Sequence, residues 1–517
     1  MARNIFNTVA MNHVGSSRFN LSHDVKMSFK MGYLIPSCVI DVIPGDRFRM
    51  GVENLLRFAP LVSPVMHKVN ITTHYFFVPN RILWPDFPKW IIGEVTADPP
   101  NCNMTGLAEG QLGDYMGLVP GMTDNSIDVN ALPFAAYAKI YDEYYRDQNL
   151  QTTEKFTQLV PGENAWVSAM AKVAPLRRSW QHDYFTSSLP DSQFGDPVTL
   201  PLLENDTVDV TIKPGSTNPS RIRVAADGSN PGNTGLRSGT DGLFETNANI
   251  DVQLDPNGNL EVDIMGQVTD INTLRRAFRL QEWLERSMRG GRRYIEQMMS
   301  HFGQRSSDAR LDRPEYIGGS RQNMVISEVL SSAETVNSSD VTINPVGQMA
   351  GHGISVGGGN SWNYTCEEHG WIIGIINVQP VTAYQDGMAR KFYRPDKLDY
   401  AWPSFANIGE QPVYRREIYC KGTGGHDTVF GYVPRYAEYK FESSRVAGTF
   451  RSSLDHWHLG RKFDAPPVLD GSFIECGSTE DDLNRIFADT TGDQIYAHIF
   501  NNINVIRKLP MYGIPTI

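Results

Sequence analysis

The sequence predicts a mainly β fold, a sandwich or jelly roll with long loops and a few helices. Short segments of alternating apolar and polar residues are separated by long irregular stretches rather than by regularly spaced helices. The 517 residues include 45 glycines and 31 prolines, which is typical of a chain with many turns. With 40% hydrophobic residues, the chain can form one large β fold with insertions or two to four ordinary domains.

Alternation of apolar and polar residues predicts a first strand over residues 28–35, followed by a turn at 44–46. Residues 66–78 predict a second strand, whose more polar face carries His74 as a surface or cross-strand contact. The continuous apolar run WIIGIINV at 371–378 predicts a strand buried on both faces. Further predicted segments are strands at Asn323–Leu330, Val413–Tyr419 and Val429–Val433, and a loop at Ser331–Ser361.

Two segments have the period of helices. Residues 133–147 begin with a proline, which suits a first helical turn, and carry an aromatic stripe that predicts a core or interface helix. Residues 271–302 predict a helix pair packed on a sheet and broken at Gly290-Gly291. Two i,i+4 ion pairs are expected on its exposed side, Glu282–Arg286 and Glu285–Arg289.

Charge is unevenly distributed along the chain. The formal net charge is −11, so wrapping of the whole protein by nucleic acid is not expected. Residues 204–270 contain eleven acidic and four basic side chains, a net charge of −7, together with several turn clusters. We therefore expect this segment to be a polar insertion that projects from the main fold.

The five cysteines are far apart in the chain and form no CxxC pair. This spacing argues against a zinc site and indicates a reducing compartment. The N-terminus has no apolar signal segment, and no apolar run approaches the roughly 18 residues that span a bilayer. We expect a protein that is made and assembled in a cytoplasm, without membrane insertion.

No catalytic motif stands out. His182-Asp183 and the run Asp455–His458 contain acid and base groups, but neither has the spacing of a metalloprotease or a nucleophile elbow. The glycine-rich stretch His352–Asn360 lacks the Lys-Ser/Thr pair of a phosphate loop. We expect no catalytic, cofactor or metal site, although a triad assembled in space is left open by sequence.

Basic residues near both termini could form a DNA-facing surface if the termini lie together. Because phosphate contacts need no motif, ordinary solvated charges remain the alternative. The candidate DNA-facing residues are Arg3, Arg18, Lys26, Lys30, Arg507 and Lys508.

Several blocks of sequence, in order along the chain, carry a family resemblance. The wording is most similar in RGGRRYIEQMMSHFG and DARLDRPEYIGG; other blocks are MGYLIPSCVIDVIPGDRF, THYFFVPNRILW, LPFAAYAKIYDEYYRDQNLQ, HDYFTSSLP and FGYVPRYAEYKFESSRVAGTFRSSLDHWHL. They resemble the major capsid protein of microviruses, small phages with single-stranded circular DNA, and most closely the gokushovirus-like branch. The chain departs from the family wording at Ser179–Gln181 and at Asp191-Ser192, which affects local contacts rather than the assignment.

The resemblance implies an eight-stranded antiparallel jelly roll of the viral capsid type, with long loop insertions and a few helices. It implies a non-enzymatic protein of the virion that assembles, by way of pentamers, into a T=1 icosahedral shell of about 60 copies around single-stranded circular DNA. Implied partners are a small basic DNA-binding protein, a pilot protein, an internal scaffolding protein and a receptor on the bacterial host.

The resemblance also suggests a division of the chain. Residues 1–25 are expected to form an N-terminal arm, and 26–203 the first part of the jelly roll with its loops and helices. Residues 204–270 would be a surface protrusion that serves host attachment. Residues 271–517 would hold the helix pair and the remainder of the jelly roll.

The helix pair is a candidate subunit interface. The segment from Arg275 to Glu296 contains seven arginines and three glutamates, a net charge of +4, and follows the acidic insertion in the chain. The candidate interface residues are Arg275, Arg276, Arg279, Arg286, Arg289, Arg292, Arg293 and Tyr294.

Two other functions remain open at this point. One is a jelly-roll protein or enzyme that acts on carbohydrate through its many Trp and Tyr side chains. The other is a stand-alone single-stranded DNA-binding protein, against which the negative charge argues.

Overall fold

The structure is a computed structural model that describes residues 15–124, 127–196, 198, 271–332, 346–422, 424–478 and 483–512, with short strands between 210 and 262 and between 335 and 344. The chain divides into a larger unit, residues 1–192 and 288–517, and a smaller unit, Gln193–Ser287. The larger unit is mainly β, as the sequence predicts, and all its sheets are antiparallel.

Thirteen strands of the larger unit are labelled here in chain order. They are β1 (Ser17–Asn20), β2 (His23–Phe29), β3 (Ile35–Val42), β4 (Arg47–Phe58), β5 (Val69–Pro79), β6 (Glu315–Asn323), β7 (Val325–Leu330), β8 (Met349–Gly357), β9 (Ser361–Thr365), β10 (Gly370–Pro380), β11 (Glu410–Tyr414), β12 (Val429–Pro434) and β13 (Ile495–Arg507).

Two large sheets form the centre of this unit. The first has the order β1-β13-β4-β8-β7; β2 continues β1 along β13, and β9 continues β8 along β4. The second has the order β6-β5-β10-β3. One apolar core contains residues of both sheets, so the two sheets pack face to face as a sandwich.

Alternation along β4 shows how the sequence produces two unlike faces. Phe48, Met50 and Leu56 are buried in the core, whereas Arg49 and Arg57, at alternate positions, are exposed. Strand β13 repeats this pattern, and β4 and β13 pair in register over twelve residues of each strand. Because side chains alternate between the faces of a strand, the sheet has one apolar and one polar face.

A buried polar contact joins the two sheets. Asn501 on β13 is 0% exposed, and its Oδ1 accepts a hydrogen bond of 2.5 Å from the hydroxyl of Tyr75 on β5. The Asn501 Nδ2 donates to the carbonyl oxygen of Ser37 on β3 at 2.9 Å. The side-chain amide of Asn501 on β13 therefore links two strands of the opposite sheet, β5 and β3.

Helices cover the outer face of the second sheet. The main ones are α1 (Leu132–Ile140), which continues as a π-helical turn at Tyr141–Tyr145, and α2 (Ala165–Ala171). Tyr137 of α1 is buried and donates a hydrogen bond of 2.8 Å to the carbonyl oxygen of Leu34. The helix predicted at 133–147 is thus confirmed, and its aromatic stripe is core.

The helix pair is also confirmed. Helix α3 spans Ile271–Gly290, and α4 (Tyr294–Phe302) ends at Gly303 with a φ of +66°. The sequence predicts that the apolar side of this helix pair packs on a sheet, but Phe302 on that side is 82% exposed. The predicted pair Glu285–Arg289 is wrong, since Arg289 binds Glu410 instead, whereas Arg286 does reach Glu282 at 3.4 Å.

Three strand predictions need correction. Residues 28–35 are not one strand: β2 ends at Phe29 and the chain turns at Gly32, whose φ of +86° and close approach to Cys476 leave no room for a Cβ. The predicted loop at 331–361 contains all of β8, and the strand predicted at 413–419 ends at Tyr414, after which a short helix begins. The sheet itself begins at Ser17, inside the segment predicted as an arm.

The buried strand predicted at 371–378 is confirmed as part of β10, and the strands at 66–78, 323–330 and 429–433 correspond to β5, β7 and β12. Within the described residues, no helix has the length and apolar character that a membrane span requires.

The smaller unit contains three antiparallel strand pairs that are nested in sequence. They are Val210–Ile212 with Leu260–Val262, Ile222–Val224 with Val252–Leu254, and Leu236–Ser238 with Phe244–Thr246.

The remaining elements are short. Further strand pairs are Asn101–Cys102 with Val129–Asn130 and Thr335–Val336 with Thr342–Asn344. Further helical turns are Asn80–Leu83, Phe87–Ile91, Leu112–Tyr115, Ala309–Leu311, Arg390–Phe392, Lys397–Asp399, Pro403–Phe405, Arg415–Ile418, Ala437–Tyr439, Gly448–Arg451, Asp455–Trp457 and Gly471–Ile474.

Replacing Asn501 tests the buried contact between the sheets. Asn501→Leu leaves the Tyr75 hydroxyl and the Ser37 carbonyl without their partner, so we expect a loss of about 2–4 kcal/mol in the free energy of unfolding in urea. The neighbouring Asn502, which is exposed, provides a matched control: Asn502→Leu should change stability by no more than about 0.5 kcal/mol. Equal effects of the two substitutions would contradict the role of Asn501.

Candidate nucleic-acid and subunit surfaces

The outer face of the first sheet is polar and cationic. Arg47, Arg49 and Arg57 project from β4 at alternate positions and are exposed. Across the strands, Arg49 pairs in register with Asn504 of β13 and Asn363 of β9. Because residues paired across neighbouring strands share a face, this row presents a guanidinium between two amides.

On strands β1, β2, β4 and β13 this face carries five cationic side chains and two carboxylates at outward positions. The cations are Arg18, Lys26, Arg47, Arg49 and Arg57; the carboxylates are Asp24 and Glu53.

Two clefts open on this face. One, of about 330 Å³, is lined by Arg18, Arg49, Asn502 and Asn504 among others. Guanidinium groups bind phosphate oxygens, and side-chain amides can bond the edges of unpaired bases. The arrangement therefore has the chemistry to contact single-stranded nucleic acid.

The second cleft, of about 440 Å³, lies near the other end of the same strands and is lined by Lys26, Arg57, Tyr496 and His498 among others. The Tyr496 ring is 48% exposed, so a base could stack on it. His498 lies 3.0 Å from the carboxylate of Asp24.

Of the residues predicted to face DNA, the structure brings two to this face. Arg18 donates to Asn504 Oδ1 at 3.0 Å, and Lys26 is exposed on the neighbouring β2. Lys30 is partly buried just after β2, and Lys508 is exposed beside Gly45. Arg3 lies outside the described residues.

Arg507 has a structural position instead. Its Nε donates to Asp46 Oδ2 at 2.9 Å, and its Nη2 donates to the carbonyl oxygen of Asp41 at 2.5 Å. Asp46 is buried, and burial raises the pKa of its carboxyl group while a backbone N–H from Ile43 and the charge of Arg507 act in the opposite direction. Arg507 thus forms an ion pair with the buried carboxyl group of Asp46.

Arg47, Arg49 and Arg57 are not among the residues predicted from the sequence to face DNA. The signal was present in RFRMGVENLLRF, where arginines alternate with large apolar residues in the pattern of a half-buried strand. Pattern alone could not show that β13 and β1 extend the same face, because those contacts join the two ends of the chain.

The candidate interface residues fall into two groups. Arg289 and Arg293 are bound within the larger unit: Arg289 by Glu410, and Arg293 by Glu296 and by the carbonyl oxygens of Asp142 and Arg146. Both guanidinium groups therefore have carboxylate partners within the larger unit.

The second group is exposed, as Arg289 is too. It consists of Arg275, Arg276, Arg279, Arg286, Arg292 and Tyr294, of which Arg279 and Arg286 contact Glu282 on the same helix.

Comparison with known proteins identifies the family. The family model described as "Capsid protein (F protein)" matches residues 7–517. The chain belongs to this phage capsid protein family. It is therefore a structural protein of the virion, not an enzyme, as the resemblance implied.

Curated relatives agree over nearly the full length. The chain is 32% identical to capsid protein VP1 of Chlamydia phage 1, with 99% of this chain and 97% of the relative covered. It is 32% identical to VP1 of Bdellovibrio phage phiMH2K, with 97% and 96% covered, and 30% identical to VP1 of Spiroplasma virus 4, with 98% and 96% covered. These phages are gokushoviruses, which confirms the branch that the sequence resembles.

The acid and base groups of this capsid protein have structural contacts. Asp183 is buried and accepts hydrogen bonds from the backbone N–H groups of Phe185 and Thr186 and from the Tyr384 hydroxyl. His458 is buried too; its Nδ1 accepts from the Gly460 N–H and its Nε2 lies 2.8 Å from a carbonyl oxygen. In the described part of the chain, no three His, Cys, Asp or Glu side chains are grouped to hold a metal ion.

His74 makes the cross-strand contact that the sequence predicted. Its Nδ1 lies 2.8 Å from the Tyr145 hydroxyl, and its ring packs edge-on against Tyr316 of the adjacent strand β6. Burial, with a smaller effect of the nearby Arg178, lowers the pKa of His74 from 6.5 to about 4. The imidazole is therefore neutral in the folded protein at pH 7.

Acid should destabilise the subunit through His74. Between pH 6.5 and about 4 the unfolded chain binds a proton at this side chain that the folded chain does not, so stability is lost as the pH falls through this window. We expect His74→Gln to reduce the pH dependence of unfolding in this range by up to about 1.4 kcal/mol per pH unit. Tyr145→Phe, which keeps the imidazole, is the control; equal slopes for wild type and His74→Gln would contradict the prediction.

Proposed function

We propose that this chain is the major capsid protein of a T=1 icosahedral shell, built from about 60 copies by way of pentamers, which encloses single-stranded circular DNA. The part of this proposal that concerns DNA rests on the cationic, amide-rich outer face of the first sheet. Family membership supports the shell, since the family is one of capsid proteins. Closed symmetry of this kind lets one subunit type build a complete container.

The fold proposed for the subunit is the eight-stranded jelly roll. The two large sheets contain eleven of the labelled strands. Taking β1 with β2 and β8 with β9 as single interrupted strands, and leaving out the edge strand β7, reduces them to eight. In chain order their positions are 1-8-3-6 in one sheet and 2-7-4-5 in the other. This order supports a jelly roll, in which two Greek keys build a two-sheet barrel.

We propose that the outer face of the first sheet meets the packaged DNA. The shell must hold a polyanion although the subunit has a net charge of −11, so its cations have to be concentrated where the DNA lies. Arg47, Arg49 and Arg57 are concentrated in this way on one strand. A small basic DNA-binding protein would supply the remaining positive charge.

Other proposed partners are a pilot protein, an internal scaffolding protein and a receptor on the bacterial host. The acidic segment 204–270, with its many turns, suits an outward protrusion that attaches to the host. Its place as an insertion between the parts of the larger unit supports this, because an insertion can vary without changing the sheets.

Assembly is the direct test of the shell. The full-length chain, expressed with its scaffolding protein, should sediment as closed particles and appear as uniform small shells by negative-stain microscopy. A chain that stays monomeric with the scaffolding protein present would contradict the proposal.

The DNA-facing surface has its own test. Arg47→Gln, Arg49→Gln and Arg57→Gln together should weaken binding of a labelled single-stranded oligonucleotide to unassembled subunits and lower the slope of log K against log salt by about 2. The slope falls because the three substituted residues no longer displace counterions, and each arginine–phosphate contact on single-stranded DNA contributes about 0.7 to it.

A charge-matched control replaces three exposed arginines elsewhere, Arg305, Arg310 and Arg321, with glutamine. It should leave the slope nearly unchanged. If both triple variants lower the slope equally, the cations act through net charge alone and the assignment of this face fails.

A further inference from the structure

A loop on the larger unit exposes an unusual number of large apolar side chains. Residues 392–408 and 439–441, called here the aromatic surface, carry nine of them, each between 37% and 68% exposed. They are Phe392, Tyr393, Leu398, Tyr400, Trp402, Phe405, Ile408, Tyr439 and Phe441.

Specific contacts join the two segments of this surface. The guanidinium of Arg394 lies over the rings of Tyr400 and Tyr439, at 5.2 and 4.5 Å from their centroids. The Ala401 N–H donates to the Tyr439 hydroxyl at 3.3 Å. The two segments are therefore held side by side rather than being separate exposed loops.

Further hydrogen bonds fix the shape of the loop. The Trp402 N–H donates to the Tyr436 hydroxyl at 3.1 Å, and the Trp402 Nε1 donates to the carbonyl oxygen of Lys397 at 2.9 Å. Arg435 donates to the carbonyl oxygen of Leu398 at 3.3 Å. A surface that is already ordered loses less entropy when it binds a partner.

The exposed area is too large for an ordinary monomer surface. At about 200 Å² for a whole aromatic side chain, the seven rings expose roughly 700 Å². The largest apolar patch on a typical monomer is about 300–600 Å², whereas one partner of a stable interface buries about 800 Å². The aromatic surface therefore matches one partner's share of a protein–protein interface.

Its composition agrees with this size. Tyr, Trp, Phe and Arg are the residues enriched in interfaces and in their energetic centres. Arg394 lies against the ring of Tyr439 of this surface, and Arg435 lies against the ring of the buried Tyr436 next to it, which keeps both guanidinium groups ordered.

A socket opens at the edge of the surface. It has a volume of about 300 Å³, and Phe392 and Phe441 form part of its wall. Deeper in it, Arg390 lies 3.7 Å from Glu417, whose carboxylate accepts a hydrogen bond of 2.8 Å from the Tyr184 hydroxyl. The socket is large enough for one side chain of a partner, and such pockets commonly receive the anchor residue of an interface.

We propose that the aromatic surface is a principal contact between copies of this chain, with a second copy as its occupant. The proposal rests on the proposed shell, in which every subunit must bury surface against its neighbours. An area of roughly 700 Å² suits a protein partner better than a sugar, which covers a few rings. The outer face of the first sheet combines exposed arginines with side-chain amides, as suits DNA, whereas Arg394 of this surface lies against tyrosine rings.

The double variant Phe392→Ala, Ile408→Ala tests the proposal. Both side chains are more than 60% exposed, so the thermal unfolding of the unassembled subunit should hardly change. Assembly, followed by analytical ultracentrifugation at increasing concentration, should require at least a tenfold higher concentration than for the wild type. Trp402→Ala provides a second variant at the centre of the surface.

Val356→Ala is the matched control, because Val356 is 77% exposed and lies on β8, away from the aromatic surface. Its assembly should follow the wild type. If the wild type assembles and the two aromatic-surface variants assemble equally well, the surface is not a subunit contact and the inference is overturned. If the wild type itself never assembles, the proposed shell function fails, which is a different result.

The inference would also be overturned by variants that assemble normally but no longer bind a glycan array or a single-stranded oligonucleotide. The surface would then bind a sugar or DNA rather than a second copy. Selective loss of assembly, with unchanged oligonucleotide binding, would support it.

Discussion

The pairing of β13 with β4 and with the N-terminal strands is the constraint on which the rest of this structure depends. The last of the labelled strands, β13, lies between β4 on one side, over twelve residue pairs, and β1 with β2 on the other, over eleven. Its inward residue Asn501 then binds Tyr75 and Ser37 of the opposite sheet. The sandwich is therefore complete only when both ends of the chain have come together.

The same pairing sets which residues a partner can meet. Because most inward positions of β4 and β13 are apolar, the arginines lie at outward positions, and the register of the two strands aligns them with the outward asparagines of β13. A slip by one residue would bury the arginines and expose the core. The surface proposed for DNA is thus a consequence of the hydrophobic pattern that builds the core.

Local patterns in the sequence predict some of these features well. The continuous apolar run of β10 and the aromatic stripe of α1 have the periods of a buried strand and a buried helix, and both are confirmed. The alternating pattern at 28–35 does not reveal the turn at Gly32, because the cause of the turn lies far away in the chain. The backbone of Cys476 occupies the space that a Cβ at position 32 would need. Arg289 binds Glu410, 121 positions away in the chain, rather than the predicted Glu285, four residues before it on the same helix.

The surfaces are harder to predict than the core for the same reason. Arg18 and Arg507 are both basic residues near a terminus, yet one lies on the outer face of the sheet and the other binds the buried Asp46. The aromatic residues of 392–408 have no helical or strand period, so sequence alone does not tell whether they are core or surface. Only the fold shows that they are ordered by Tyr436 and Tyr439 and still exposed.

A reconstruction of the assembled, DNA-filled particle by electron cryomicroscopy would test these conclusions most directly. We expect Arg47, Arg49 and Arg57 to line the inner surface next to density for nucleic acid, and the aromatic surface to be buried against a neighbouring copy. A particle in which the outer face of the first sheet points away from the lumen, with the aromatic surface open to solvent, would contradict both assignments.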